Sequence, residues 1–164
     1  MKTLTWIAGA GLLVASLHAD ALDVLSTQGT GAVGNCQAAL PAYEGQIRKR
    51  PLALANEGDA AAFVTCAFAT EEVSLNVQDF RTEVRNLSGE PATITCTAVI
   101  GEDAEAADYV VKSVELGPLE SGVLSWNGAD VGGLFQTDSV ALSCRLPPLT
   151  ALNRNRITTL LSLI

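Results

Sequence analysis

Two stretches of the chain alternate apolar and polar residues with a period of two. From Ala92 to Ile100, Ile94, Cys96, Ala98 and Ile100 share one side and Thr93, Thr95 and Thr97 the other. Val140, Leu142, Cys144 and Leu146 repeat the pattern before Pro147-Pro148 stops it. Such alternation predicts half-buried β-strands. Shorter runs surround these two. Val64, Cys66 and Phe68 fall on one side of Ala61 to Phe68. Val73, Leu75 and Val77 also alternate, and Phe80 then breaks the parity as a bulge would. Gln46 to Ala55 is interrupted by Pro51, which predicts an edge strand or a break, since proline cannot donate to a ladder. Tyr109 to Leu116 and Val123 to Trp126 are separated by Gly117-Pro118, and Ile157 to Ile164 closes the chain as an apolar strand.

Turn residues punctuate these runs, notably Asn56-Glu57-Gly58-Asp59 and Asn86-Leu87-Ser88-Gly89. No stretch of useful length has helical period. About eight short strands with frequent turns predict an all-β fold, an antiparallel β-sandwich of the jelly-roll or immunoglobulin-like kind. Cys36, Cys66 and Cys96 are evenly spaced, but their flanking residues differ, so the spacing is taken as coincidence and no internal repeat is expected.

The first 21 residues have a different character. Lys2 is followed by the apolar run Leu4 to Leu17 and by Ala19-Asp20-Ala21, the layout of a signal peptide and its cleavage site over 1–21. The run is too short for a bilayer span of about 20 apolar residues. Residues 22–35, rich in Ser, Thr and Gly, are expected to form a flexible leader, and 36–164 a single sandwich domain. Cleavage would remove His18, the only histidine. Periplasmic or secreted location follows from this reading.

Export places Cys36, Cys66, Cys96 and Cys144 in an oxidising compartment, where an even count predicts two disulfides. No closely spaced cysteine pair signals zinc or a redox motif. Three connectivities are possible. Cys96 and Cys144 both lie on the apolar side of a well-alternating strand, so a bridge between them would sit in the core, leaving Cys36 for Cys66.

The net charge of −8 argues against nucleic acid or anionic lipid as the main partner, because phosphate binding needs a concentrated basic face. No second apolar run reaches transmembrane length.

The contexts Gly34-Asn35-Cys36, Val64-Thr65-Cys66, Thr95-Cys96 and Leu142-Ser143-Cys144-Arg145-Leu146-Pro147-Pro148, with Ile157 near the start of a final strand, carry a resemblance. From about Asn35 to Ile164 the chain resembles a family of small exported bacterial proteins with four cysteines, to which no activity is attached. The resemblance implies a two-disulfide sandwich and no catalytic residue. Ala67 stands where that family places a proline after the cysteine, a difference confined to one turn.

Without histidine, a Ser-His-Asp or Cys-His nucleophile is excluded, and no Ser-x-x-Lys spacing follows residue 21. The acidic residues lie mainly in turns, as solvated loop tips do. Glu102, Asp103, Glu105 and Asp108 form a weak calcium candidate without the order of an EF-hand loop. Trp126 is a candidate platform for a sugar or a protein partner, although a lone tryptophan ending a strand more often caps a core. Arg48-Lys49-Arg50 reads as charge that protects an edge strand, with an anionic glycan site as the alternative. The expectation is a non-enzymatic, cofactor-free binding or structural module with a protein or glycan partner. The alternative is a pilus- or adhesin-type subunit that donates its last strand.

Overall fold

The computed structural model describes residues 22–69, 76–101, 107–131, 135–136 and 139–163. The segment read as a signal peptide, with His18, lies outside them. Twelve strands and short helical turns occur among the described residues. They are β1 (Leu22–Gly31), the turn α1 (Ala32–Asn35), β2 (Cys36–Ala38), β3 (Ile47–Arg50), β4 (Ala53–Asn56), β5 (Ala62–Ala69) and β6 (Asn76–Asn86). After them come β7 (Ala92–Ile100), β8 (Asp108–Leu116), β9 (Ser121–Asn127), β10 (Phe135–Gln136), β11 (Ser139–Leu146) and β12 (Thr150–Leu163).

All pairings are antiparallel, in two sheets. Sheet A runs β3-β4-β12-β6-β10, with β9 also on β6 and β1 also on β12. Sheet B runs β2-β5-β11-β7-β8. The predicted alternation appears as burial: Ile94, Cys96, Ala98 and Ile100 of β7 and Val140, Leu142, Cys144 and Leu146 of β11 all point into the core. They meet Leu54, Val77, Phe80, Val84, Leu152 and Trp126 from sheet A. Both disulfides form with the expected connectivity, Cys36–Cys66 and Cys96–Cys144. Each joins directly opposed residues within sheet B, on β2 and β5 and on β7 and β11.

The break in parity before Phe80 is a bulge. Thr158 pairs with Asp79 and Thr159 with Val77, so Gln78 is the extra residue and Val77 and Phe80 both face inward. Pro51 and Leu52 form the turn of a β3–β4 hairpin, which satisfies both the break and the edge position expected there. Val73 and Leu75 lie outside the described residues.

Three expectations need correction. Residues 22–31, read as a leader, form β1, paired with β12 from Leu22↔Leu163 to Gly31↔Arg154. Backbone hydrogen bonding to a partner strand overrides a Gly- and Thr-rich composition that carries no apolar alternation. The final strand begins at Thr150, not Ile157, and it is internal: β6 lies along one side and β4 and then β1 along the other. Over Thr150–Leu160 it therefore offers no free edge for donation. The cysteine spacing also has a structural counterpart. Asn56 and Asn86, thirty residues apart, both end sheet A strands at corners leading into sheet B. Each amide takes the same role: Asn56 Nδ2 donates to Ala60 O and Leu146 O, and Asn86 Nδ2 to Glu90 O and Gly117 O. Each Oδ1 accepts a backbone N–H two residues on, from Gly58 and Ser88. The opposing corners carry Leu119 and Leu149, also thirty apart, both with positive φ. Equivalent geometry with unlike neighbours hides this repeat from a comparison of flanking residues.

Candidate functional site

Trp126 is fully buried. Its ring stacks on Phe80 at 5.4 Å between centroids, and Phe80 meets Phe68 of the opposite sheet at 5.0 Å. Nε1–H donates to Val110 O on β8 at 2.9 Å. In this position Trp126 joins the sheets and presents no face to a ligand, so it is not a binding platform. Of the calcium candidates, Glu102, Asp103 and Glu105 lie outside the described residues, and Asp108 is exposed at the start of β8. Among the described residues no three His, Cys, Asp or Glu side chains gather closely enough to share a metal ion.

Lys112 of β8 reaches across to Ser125 O at 2.7 Å and to Asp130 at 2.8 Å. Its ammonium, followed by the Asn127 backbone N–H, holds the Asp130 carboxyl below the usual carboxylate range. A depressed folded pKa gives stability that is present above the unfolded value near 3.8 and is lost as pH falls through the folded value. Asp130→Asn is therefore expected to lower stability at neutral pH by about 0.5–1 kcal/mol, as for a pair at the surface, and so to lower the thermal midpoint. Midpoints measured from pH 7 downward should converge once the wild-type carboxylate is protonated. A constant gap at all pH values would contradict this role.

The larger electrostatic feature is on sheet A. Arg48 pairs with Ala55, Ala55 with Ala151, and Ala151 with Arg85, so one row across four strands has an arginine at each end. Arg50 lies two residues along β3, and Arg81, Arg154 and Arg156 occupy the same outward parity on β6 and β12. Six of the chain's seven arginines thus share one outer face in a protein of net charge −8. Arg81 and Arg156 stand directly opposite, an arrangement that costs stability between like charges. Each has its own carboxylate, Asp79 at 2.6 Å and Glu83 at 3.2 Å, while Arg50 takes Glu57. Arg85 and Arg154 have no carboxylate partner among the described residues. The concentrated basic face that net charge argued against is therefore assembled by strand register. Its sequence signal was present: Arg48-x-Arg50, Arg81-x-Glu83-x-Arg85 and Arg154-x-Arg156 all repeat with the strand period.

On this face lies a cleft of about 460 Å³, where β12 leaves β4 and takes up β1. Asn153, the extra residue of a second bulge, sits at that handover. Arg154, Glu83, Gly29, Gly31 and the Pro51-Leu52 turn complete the walls. The outer face of sheet B is different in kind. Thr65, Ser143, Thr97 and Val111 form one row and Ala67, Ala141, Val99 and Tyr109 the next, with Arg145 and Glu115 as its charges. Another hollow, of about 500 Å³, lies between Gln37, Leu40, Glu44 and Lys49 at the sheet edges.

Fold and site together define an antiparallel, doubly disulfide-bonded sandwich with one arginine-rich face. No family model and no curated protein sequence matches this chain. Among solved structures, a carbohydrate-binding module studied for mannan recognition is 10% identical, with 84% of this chain and 98% of that chain covered, at a TM-score of 0.48. A xylan-binding domain from Paenibacillus barcinonensis is 12% identical over 85% and 87% of the two chains, with a TM-score of 0.42. A protein of the disulfide-linked pili on Bacillus endospores is 10% identical over 94% and 100%, with a TM-score of 0.35. What those proteins bind or build is a property of theirs.

Proposed function

We propose that this protein is an exported, non-catalytic binding module of the four-cysteine kind, whose sheet A face recognises an anionic polymer outside the inner membrane. One observation carries the reading: six arginines share the outward parity of three strands of one sheet, β3, β12 and β6, while the rest of the chain is strongly acidic. Guanidinium forks match carboxylate and sulfate groups with two parallel hydrogen bonds, and a rigid sheet holds them at fixed spacing. Two crosslinks within sheet B brace the layer against which sheet A packs, as suits an oxidising compartment. No helix among the described residues is long and apolar enough to cross a membrane. A subunit donating its last strand is not favoured, since Thr150–Leu160 of β12 already has neighbouring strands on both sides.

The oxidised chain should be retained on dextran sulfate, with salt weakening the interaction, and should pass over uncharged dextran. Arg85→Gln with Arg154→Gln removes two guanidinium charges that have no carboxylate partner among the described residues. It should leave the thermal midpoint nearly unchanged and lower affinity by about tenfold or more. Equal retention of wild type and variant would remove the arginine face from the function.

A further inference from the structure

We infer that the cleft where β12 passes from β4 to β1 is a subsite for a hydroxyl-bearing, carboxylated saccharide, so that the polymer held by the arginine face is an acidic polysaccharide. This rests on the reading of that face as an anion-binding surface and names its ligand class.

The cleft offers acceptors as well as a cation. Asn153 lines the cleft, and its Oδ1 is buried with no hydrogen-bond donor; of the six such atoms among the described residues it alone belongs to this wall. A buried acceptor left unmade is costly, so a donor that reached it from the cleft would relieve that cost. Glu83, also in the wall, has a carboxylate shared with Arg156 and accepts hydrogen bonds only. A surface of bare phosphates has nothing to donate to these oxygens. Sugar hydroxyls donate, and a ring carboxylate suits Arg154, which has no carboxylate partner among the described residues. Leu52, 82% exposed at the hairpin turn, adds an apolar lip for the C–H side of a sugar ring. The volume falls within the range of about 300–1,000 Å³ common for small-ligand sites.

Glycine opens the site. Gly29 and Gly31 stand opposite Arg156 and Arg154, on the same outward parity. A Cβ on Gly29 would touch the Arg156 and Arg154 stems at 3.8 and 3.9 Å, whereas one on Gly31 would meet nothing within 4 Å. Gly31 has φ −63° and ψ 138°, extended backbone that any residue adopts. Leucine at that position would therefore enter the cleft without straining the strand.

The test compares polygalacturonate, which alternates carboxylates with hydroxyls, and polyphosphate, which has charge without hydroxyls, by titration against the oxidised chain. Wild type should bind polygalacturonate more tightly. Gly31→Leu, which fills the cleft, and Asn153→Ala, which deletes the idle acceptor, should each weaken polygalacturonate by about tenfold and leave polyphosphate within about twofold. Asn153→Ala keeps the experiment decisive if the leucine variant folds poorly, because its Oδ1 has no hydrogen-bond partner among the described residues. If both variants bind both polymers as wild type does, the saccharide subsite is wrong and the arginine face stands. Equal affinity of wild type for the two polymers has the same meaning. Binding of neither polymer overturns both readings.

Discussion

Trp126→Ala is expected to lower stability by about 3–5 kcal/mol, roughly 10–15 °C in thermal midpoint for a chain of this size. The ring fills the space between Phe80 and the β8 backbone, and its removal empties the end of an aromatic series that runs from Phe68 through Phe80. Val110 O would also lose its N–H donor. Trp126→Phe retains part of the stack and loses the hydrogen bond, so its cost should be smaller, about 1–2 kcal/mol. Thermal melts of the three proteins check the order. An alanine variant with an unchanged midpoint would show that the ring is at the surface, where a ligand platform belongs.

The second large effect concerns the crosslinks. Loops of about 31 and 49 residues are closed by Cys36–Cys66 and Cys96–Cys144, with chain-entropy contributions of roughly 3.7 and 4.1 kcal/mol as upper values. Loop length alone thus separates the two bridges by only a few tenths of a kcal/mol. The surroundings separate them further. Cys96 and Cys144 are wholly enclosed among core residues such as Ile94 and Leu142. Cys36 Sγ instead has Asn155 Nδ2 at 3.5 Å, so a serine there keeps a polar neighbour. Cys96→Ser should therefore destabilise more than Cys36→Ser, because its hydroxyl is buried without a partner. Replacing both members of each bridge by alanine should shrink the gap toward the loop-length difference. Equal midpoints for the two serine variants would refute the ranking.

How much of this was legible in the chain follows from what each feature needs. A strand with one buried side writes its period into the sequence, so β7, β11 and the inward-facing cysteines were readable residue by residue. The parity break before Phe80 was readable for the same reason, since a bulge moves every later side chain to the other face. Trp126 was ambiguous. A strand-end tryptophan has the same local pattern whether it closes a core or greets a ligand, and only Phe80 and Val110, distant in sequence, decide between them.

β1 and the arginine face were hidden for a different reason. The Gly- and Thr-rich residues of β1 carry no apolar signal of their own, and they become a strand because β12 supplies ten residues of edge. Arg48, Arg85 and Arg154 belong to three strands, and nothing local shows that register sets them on one side of one sheet. Composition and alternation thus determined, unaided, an all-β chain with its core positions and its disulfide pairing. For the surface that we assign to binding, the chain held only the strand-period spacing of arginines within each segment; tertiary structure brought the segments to one face, because strand order and register are relations between segments, and net charge sums over all of them.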